Sequence, residues 1–452
     1  MQDTQREVKL PIVSSVDLTK QGREIQSRRD WVERSVWSER MLNALETGVK
    51  GNQWFSLIDK VYSPKNLEAA YVKVAKNKGA AGVDRVSVQK FTERKLQELN
   101  ALSRQLREGL YQPKDIRRVY IPKSGEPKGR PLGIPAVRDR IVQTALRNVC
   151  EPIFEREFAD RSYGFRPGRG CKDALREVDN YLNKGYRWVV DVDIKGYFDT
   201  IPHDKLMTKI EERISDTRIL ALIRQYLCQQ IMDGMHSWIP EKGTPQGAII
   251  SPLLSNVYLN PLDHLMERLG YIMVRYADDM VIICQTEAEA KNALEILQTW
   301  MSDAQLTLHP TKTRLVNVSD SEGFDFLGYH FQVSKKDVLR INHWPRKKSL
   351  MKLRERVRPL TKRLSGQSME CIVSNLNPIL RGWFGYFKHS KPSSALTGVD
   401  EWVRMRLRSI LRHRCKRRGW ANAGDKKRWP IAYFTGIGLY SLKEARILAV
   451  RS

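Results

Sequence analysis

The chain has 452 residues, and its 78 Lys and Arg against 51 Asp and Glu give a formal net charge of +27 at pH 7. A hydrophobic content of 41% is enough to fill folded cores, which excludes a mainly disordered protein. The charge is uneven, because residues 331–452 contain 29 Lys and Arg and only 7 Asp and Glu. Such a surface predicts a polyanionic partner, bound above all by the C-terminal part.

Cysteine usage and hydropathy favour a reducing environment without a membrane. Six cysteines lie far apart with no C-x-x-C pair, and no histidine stands at ligand spacing beside them, which argues against a structural zinc site. The N-terminus carries charges at Asp3, Arg6 and Glu7 and lacks the apolar stretch of a secretory signal. The longest uncharged stretch, 243–262, is broken by three prolines. We expect a cytoplasmic protein with no membrane partner.

The elements in chain order begin with a predicted helical N-terminal extension over 1–60. Its apolar residues between Val32 and Val49 recur at nearly helical spacing, and Gly51 is a candidate helix end. Helical segments then alternate with short β-rich runs over 61–335, without a regular βαβ rhythm. This pattern predicts an α+β fold. The β-rich runs are 119–122, 188–193, 271–276 and 280–284.

Basic helical segments take over beyond residue 335, where β-branched runs become rare. The first of them, 347–364, has regularly spaced apolar residues, and Pro359 is expected to kink or end the helix. The composition therefore predicts a domain boundary near 335 and an α-helical region after it.

Two groups of acidic residues carry the chemistry. RYADDMVIIC places Asp278 and Asp279 between apolar runs, which predicts a β-hairpin with carboxylates at its tip. An Asp-Asp turn alone is most often simply solvated. However, WVVDVDIKGYFDTI delivers Asp191 and Asp193 to one face of a second strand. Clustered carboxylates repel unless a cation is present, so beside a basic surface they suggest two-metal phosphoryl transfer with Mg²⁺.

An ordered series of blocks resembles bacterial group II intron-encoded reverse transcriptases and maturases. YADD at 276–279 and DIKGYFDTI at 193–201 are similar to the metal-binding motifs of that family. The other similar blocks are KNKGAAGVD at 76–84, IPKSGEPKGRPLGIP at 121–135, RSYGFRPGRG at 161–170, GTPQGAIISPLLSNVYLN at 243–260, LTLHPTKTRLV at 306–316, FDFLGYHF at 324–331 and the maturase-like LNPILRGWFGYFKHS at 376–390.

The resemblance implies a right-hand polymerase fold. Fingers and palm would occupy 61–335, an α-helical thumb or maturase (X) domain 336–419, and a short DNA-binding-like segment 420–452. About 60 residues follow the maturase-like block, with one histidine and one cysteine. We therefore expect neither a metal-dependent endonuclease domain nor DNA strand cleavage by the protein itself.

The resemblance also assigns metal and nucleotide roles. Asp193 and Asp278 would bind two Mg²⁺ ions, which Mn²⁺ could replace, with Asp279 as a supporting catalytic acid and the Ile194 backbone as an extra ligand. The implied dNTP contacts are Lys123 and Arg130 to the triphosphate, Gln246 to sugar or base, and Lys312 to the departing pyrophosphate. For Lys312, contact with a backbone phosphate is nearly as good an interpretation.

An aromatic after the metal-binding motif is implied to exclude the ribose 2′-OH. Motif alignment favours Tyr197 as this gate, with Phe198 facing the core, since only one of the two rings can face the nucleotide. Tyr163, Phe165 and Arg166 resemble a template-side block, and Phe326, Leu327 and Gly328 resemble the primer grip. For both blocks, packing in the core is an equally open interpretation.

Basic clusters near the C-terminus are candidates for phosphate binding. One of them, the C-terminal basic cluster, is formed by Arg412, Arg414, Lys416, Arg417 and Arg418. The tryptophans that lie among these charges, such as Trp402 and Trp429, are expected to pack in a core.

These features predict an RNA-directed DNA polymerase that binds its intron RNA as a maturase and promotes splicing and retrotransposition. Its partners would be the intron RNA, an RNA template, a DNA primer, target DNA and dNTPs. Two alternatives stay open. One is a reverse transcriptase domesticated by a defence, diversity-generating or CRISPR-associated system, and the other is an RNA-binding splicing cofactor that does not use its polymerase site.

Overall fold

The computed structural model describes residues 31–451, except 124–125, 321, 335–336, 338–339, 392–393 and 418–421. Residues 1–30 of the predicted extension, the predicted boundary at 335 and Arg418 therefore lie outside the described residues, as does the side chain of Lys123.

The described part of the chain begins with five helices, mixes strands and helices between residues 116 and 345, and continues in helices alone. The helices are α1 (Glu39–Thr47), α2 (Ile58–Val61), α3 (Pro64–Lys76), α4 (Val88–Glu93), α5 (Lys95–Glu108), α6 (Val137–Glu155), α7 (Cys171–Asn183), α8 (Tyr197–Thr200), α9 (His203–Glu211), α10 (Thr217–Leu227), α11 (Ser251–Arg268), α12 (Glu287–Asp303), α13 (Lys347–Val357), α14 (Met369–Phe387), α15 (Ser394–Arg414), α16 (Ala423–Arg428), α17 (Ile431–Gly436) and α18 (Leu442–Arg451). The strands are β1 (Ile116–Lys123), β2 (Glu126–Ile134), β3 (Trp188–Asp193), β4 (Ile231–Asp233), β5 (His236–Trp238), β6 (Ile272–Tyr276), β7 (Asp279–Cys284), β8 (Arg314–Asn317), β9 (Phe324–Phe326), β10 (Tyr329–Val333) and β11 (Ile341–Pro345).

Two compact units each draw on several segments of the chain. The described part of the first unit comprises 31–158, 165–169 and 196–260, and that of the second comprises 159–164, 170–195 and 261–451. None of the described helices is both long enough and apolar enough to cross a membrane.

The first unit contains a four-stranded sheet with the order β2-β1-β4-β5. β1 is antiparallel to β2 and parallel to β4, and β4 is antiparallel to β5. Helix α6 forms the core of this unit, because Ile141, Val142, Leu146 and Val149 are all inaccessible to solvent. Helix α1 is shorter than predicted, since Gly48 adopts φ 87° and ends it before Gly51.

The second unit contains an antiparallel sheet with the order β6-β7-β3-β8. The β-branched residues Val189, Val190 and Val192 fill its centre and are almost fully buried. Helices α7 and α12 pack against this sheet. The predicted strand over 188–193 and the predicted hairpin of β6 and β7 are both confirmed.

The C-terminal part of the second unit is a helical core preceded by a small sheet with the order β11-β10-β9. Helix α13 ends at Val357 and a 3₁₀ turn begins at Pro359, as the proline predicted. Trp429 is buried in the core of these helices, and Trp383 and Trp402 pack at its edge. The structural interpretation of these tryptophans is therefore confirmed.

A buried ion pair anchors β6 to helix α11. The Arg275 side chain is fully buried, and its Nε donates to Oδ1 of Asp263 at 2.7 Å. A second guanidinium nitrogen donates to the carbonyl of Ala277 at 3.1 Å. A buried cation is tolerated only while its partners remain in place.

Replacing Asp263 with Ala should lower the free energy of unfolding by about 3–5 kcal/mol, because it leaves the Arg275 guanidinium buried without its counter-charge. Urea unfolding followed by circular dichroism measures this. The matched control is Glu267→Ala on the same helix, whose carboxylate is half exposed and should matter by less than about 0.5 kcal/mol. Equal unfolding midpoints for the two variants would contradict the assigned role.

Candidate active site

The acidic residues meet at the ends of two paired strands. Asp193 on β3 lies directly opposite Asp279 on β7. Directly opposite residues of an antiparallel pair project from the same face, with Cβ atoms about 4.5–5.5 Å apart. Asp191, two residues before Asp193, lies on that face as well. Asp278 occupies the turn between β6 and β7, so four carboxylates gather at this edge of the sheet.

The turn that carries Asp278 has a strained backbone. Ala277 adopts φ 60°, which is uncommon for a residue with a side chain. Arg275 holds its carbonyl, and Gly164 packs so tightly against the backbone of Tyr276 and Ala277 that a Cβ at position 164 would overlap them. Strain of this kind persists only where the surroundings hold it, as they do here.

Residues of the RSYGFRPGRG block support this turn from the side. The backbone N–H of Tyr163 donates to the carbonyl of Arg275 at 2.8 Å, and the Tyr163 ring packs against the core of the second unit. Position 164 requires glycine, because its backbone lies against the backbone of Tyr276 and Ala277 in the turn that carries Asp278. This part of the block therefore positions the acids, a role that the sequence comparison with a template-side block did not indicate.

Three cations offset the negative charge. Lys312 Nζ lies 3.3 Å from Asp193 Oδ2, and Arg314 Nε lies 3.3 Å from Asp191 Oδ2. Arg346 acts on Asp279 as a third positive charge. Of these, the motifs pointed only to Lys312. The sequence contained a signal for Arg314, because this residue follows Lys312 by two positions. In the structure, Arg314 begins the strand that pairs with β3.

Burial and repulsion make the acids hard to ionise. Burial raises the pKa of Asp279 to about 7, and the charges of Asp191 and Asp278 add to the rise, whereas Arg346 and the Leu327 N–H oppose it. Burial raises the pKa of Asp191 to about 6 against the effect of Arg314. Carboxylates held in this way favour a bound cation.

The donor set fits a hard divalent cation bound together with substrate. No group of three His, Cys, Asp or Glu side chains in the described part of the chain is arranged to hold a metal ion by itself. Mg²⁺, however, is usually held by one or two carboxylates plus substrate phosphates. Asp193 and Asp278 supply carboxylates of that kind. Ile194 follows Asp193 with its side chain buried, and the flanking backbone is bonded to Thr307 and His309.

The hairpin turn at Leu327 and Gly328 links these acids to the C-terminal helices. Both residues have positive φ, 46° and 85°, as a tight two-residue turn requires. The Leu327 N–H donates to the Asp279 carboxylate. The Leu327 carbonyl accepts from the Tyr386 hydroxyl at 2.7 Å, and the Gly328 carbonyl accepts from Ser349 Oγ at 2.9 Å. Helices α13 and α14 thus hold the turn that contacts the Asp279 carboxylate.

Phe326 is a correction to the predicted primer grip. Its ring is fully buried in the core that also contains Phe324 and Phe331. The phenylalanine therefore supports the hairpin from within the core, which is the second interpretation that the sequence left open for this block.

In the first unit, a cavity of about 160 Å³ is lined by one predicted nucleotide contact, Gln246, together with Arg118 and Asp199. Gln246 donates to Asp199 Oδ2 at 3.0 Å and accepts from Arg130 Nε at 3.0 Å. Burial raises the pKa of Asp199, opposed first by Arg118. Gly247 adopts φ 109° beside the Gly133 carbonyl, where a Cβ would overlap it. Asp199 lies within the DIKGYFDTI block, but no role had been predicted for it.

The two aromatic residues of the DIKGYFDTI block, Tyr197 and Phe198, differ in exposure in the opposite sense to the prediction. Tyr197 is only 2% exposed, and its hydroxyl donates to the Ser255 carbonyl at 2.7 Å. Phe198 is half-buried and has a surface that a ligand can reach. The cause is local: helix α8 begins at Tyr197, so the pair does not follow the alternation of a strand.

Two predicted basic contacts are used inside the protein. The Arg166 side chain is 3% exposed and lies 2.8 Å from Glu155 Oε1, so it is not available to a template phosphate. Its neighbour Phe165 is 45% exposed and can stack. Arg412 lies 2.8 Å from the fully buried Asp425. Both arginines are corrections, because each neutralises an acid with little access to water.

The other described residues of the C-terminal basic cluster, Arg414, Lys416 and Arg417, point outward. Arg414 is exposed and donates to the backbone carbonyls of Ser365 and Gln367. Lys416 and Arg417 are exposed as well. They are the described members of the cluster with side chains most available to phosphates.

Comparison with known proteins identifies the family. The reverse transcriptase (RNA-dependent DNA polymerase) family matches residues 121–331, and the group II intron maturase-specific domain matches residues 350–429. Protein YkfC of Escherichia coli strain K12 is 37% identical over 318 residues, which cover 60% of this chain and 82% of YkfC. The chain belongs to the group II intron reverse transcriptase and maturase family. The predicted family, α+β fold class and enzyme class are thereby confirmed.

Two further relatives that match over shorter stretches are named for introns. The group II intron-encoded protein LtrA of Lactococcus lactis subsp. cremoris is 39% identical over 208 residues, which cover 46% of this chain and 34% of LtrA. An uncharacterized 91 kDa protein in the cob intron of Schizosaccharomyces pombe is 33% identical over 278 residues, with 48% of this chain and 34% of that protein covered. This chain thus spans about a third of the length of these two relatives. Reverse transcriptases use divalent metal ions, and maturase domains bind intron RNA.

Without a divalent cation, the raised pKa of Asp279 should make the protein less stable as pH rises. The folded state keeps a proton up to about pH 7, whereas the unfolded chain releases it near pH 4. The melting temperature in EDTA should therefore fall between pH 5 and 8 for the wild type and fall less for Asp279→Asn. The exposed Asp320→Asn variant serves as control. Parallel curves for wild type and Asp279→Asn would contradict the assignment.

Proposed function

We propose that this chain copies RNA into DNA at the edge of the sheet that carries Asp193, Asp278 and Asp279. The observation that supports this most directly is the pairing of Asp193 with Asp279 across β3 and β7, with Asp278 in the adjoining strained turn. The substrates would be an RNA template, a DNA primer and dNTPs. An extended antiparallel sheet makes this edge rigid enough to hold four acids in one geometry.

Asp193 and Asp278 would hold two Mg²⁺ ions, with Mn²⁺ as a substitute and the Ile194 carbonyl as an added ligand. When bound, the ions would activate the primer 3′-OH and neutralise charge on the α-phosphate and the leaving pyrophosphate. Asp279 would support the site through its bond to the Leu327 N–H. Lys312, at 3.3 Å from Asp193, would stabilise charge on the departing pyrophosphate.

The incoming nucleotide would be read by residues of the first unit. Arg130, Gln246 and Asp199 form one hydrogen-bonded chain beside a cavity, so a sugar or phosphate group could replace any of these mutual bonds. Lys123, next to this segment in sequence, is proposed as a second contact to the triphosphate. Phe198 is the proposed gate against the ribose 2′-OH, because it is the more accessible ring of the pair.

The maturase role would use the C-terminal part of the chain. Residues 350–429 match the maturase-specific domain, and 331–452 contribute +22 to the formal net charge of +27. Exposed residues such as Lys416 and Arg417 would neutralise phosphates of the intron RNA during splicing, and of target DNA during retrotransposition. A protein with these substrates would act in the bacterial cytoplasm.

Asp278→Asn should abolish cDNA synthesis, with a rate loss of at least about 10³-fold, because one neutralised ligand weakens both metal binding and charge cancellation. Primer extension on a homopolymer RNA template with Mg²⁺ measures this. Asp320→Asn, which makes the same substitution at an exposed site, should retain activity.

The same two variants also test the maturase role. Asp278→Asn should still bind structured RNA and promote splicing of a candidate intron. Mg²⁺-dependent extension by Asp278→Asn would overturn the active-site proposal. A wild-type protein that splices but never extends a primer would favour the RNA-binding cofactor instead.

Phe198→Ala should admit ribonucleotides, because removal of the accessible ring frees space that the 2′-OH needs. Single-nucleotide incorporation of rNTP and dNTP should show selectivity reduced by at least about tenfold. The control is Tyr197→Phe, which removes only the buried hydroxyl bond to Ser255 and should leave selectivity unchanged. The reverse result, with Tyr197→Phe relaxed and Phe198→Ala selective, would return the gate to Tyr197.

A further inference from the structure

A second cavity, of about 310 Å³, lies in the second unit and has no role in the polymerase chemistry. Residues of α7, β10, β11, α18 and the end of α14 form its walls. Asp193, Asp278 and Asp279 do not line it, and neither do Lys416 and Arg417. Its volume lies near the lower end of the range for small-molecule pockets, about 300–1,000 Å³. The space suits one nucleotide and is too small for a duplex.

The walls carry a strong excess of positive charge. The cationic residues lining the cavity are Lys172, Arg176, Lys388, Lys391 and Arg446. The lining contains one carboxylate, Asp179, which already contacts Lys391 at 3.7 Å and His343 at 3.1 Å. A concave surface with this imbalance concentrates anions.

Two of these lysines carry a positive charge that no described acid neutralises. Lys172 and Lys388 form no ion pair with any described residue, whereas Arg176 contacts Asp173 at 3.0 Å. Their field reaches the neighbouring imidazole, since burial, together with Lys388, Lys172 and Arg176, lowers the pKa of His389. The group that best balances this field is a phosphate.

Aromatic rings complete the lining. Tyr329 and Phe331 are nearly fully buried beneath the cavity, and the half-buried Tyr386 forms part of its wall. The imidazole of His389 is exposed beside them. Of these rings, Tyr386 and His389 have surfaces that a ligand can reach. Accessible rings next to Lys and Arg side chains are the combination that binds unpaired bases, by stacking, together with their phosphates.

We propose that this cavity binds an unpaired nucleotide of a nucleic-acid strand held by the protein, with its phosphate between Lys172 and Lys388 and its base against the aromatic lining. A strand is favoured over a free nucleotide because the surrounding C-terminal region is itself basic enough to concentrate a polyanion. The inference rests on the proposed nucleic-acid binding and adds a specific site to it.

The test compares Lys172→Gln/Lys388→Gln with Lys291→Gln/Lys443→Gln in the full chain. The control pair removes the same charge from exposed lysines of the same unit that do not line the cavity. The probe is a 12-nucleotide oligo(U) with one photoreactive 4-thiouracil, assayed across a salt series. The cavity variant should bind at least about fivefold more weakly, and its salt slope should flatten by about 0.7 for each lost phosphate contact. The control should bind like the wild type.

Cross-linking followed by mass spectrometry identifies the contact directly, and should label cavity residues such as His389. Leu175→Trp is a second variant, which fills the cavity without changing charge, and it should reduce this cross-link while circular dichroism stays unchanged. Equal losses in the cavity and control lysine variants, or cross-links confined to other surfaces, would overturn the proposal.

Two further results separate the possible failures. Displacement of the oligonucleotide cross-link by micromolar uridine monophosphate would overturn the strand assignment in favour of a free-nucleotide site. Absence of oligonucleotide binding by the wild type would instead overturn the proposed nucleic-acid function on which the inference rests.

Discussion

Repulsion among carboxylates is the constraint around which the second unit is built. Asp191, Asp193, Asp278 and Asp279 are gathered at one edge of a sheet, where burial raises the pKa of Asp279 to about 7. Such a cluster would relax outward unless the backbone prevented it. The ladder between β3 and β7 fixes Asp193 and Asp279, and Gly164 and Arg275 fix the turn that carries Asp278. The site therefore stores unfavourable negative charge that bound divalent cations would neutralise.

The same constraint ties the polymerase part of the second unit to its C-terminal helices. The Leu327 N–H stabilises the charge of Asp279, and the Leu327 carbonyl accepts a hydrogen bond from the Tyr386 hydroxyl. Tyr386 belongs to the block that resembles the maturase region, and it also lines the cationic cavity. One short chain of hydrogen bonds thus connects Asp279, a helix of the maturase-type domain and a candidate nucleotide site.

Net charge predicted the class of partner but not the residues that would contact it. Arg166, Arg275 and Arg412 lie within hydrogen-bonding distance of acids and are largely buried. Their charges contribute to the total without being available to phosphate. Lys172 and Lys388, to which the sequence analysis assigned no role, are brought to the same cavity by α7 and the end of α14. Distance in sequence concealed a cluster that exists only after folding.

The amino-acid sequence by itself determined the family, the strand over 188–193, the carboxylate-tipped hairpin and the helix end before Pro359. These features depend on local periodicity, on turn chemistry and on short motifs, all of which can be recognised without knowledge of the tertiary contacts. Only the tertiary structure decided that Tyr197 is buried and Phe198 accessible, that Phe326 belongs to the core, and that Arg166 is paired with Glu155. The physical reason is that a side chain's availability depends on which distant element packs against it. For Tyr197 and Phe326, those elements come from segments that lie far apart in sequence.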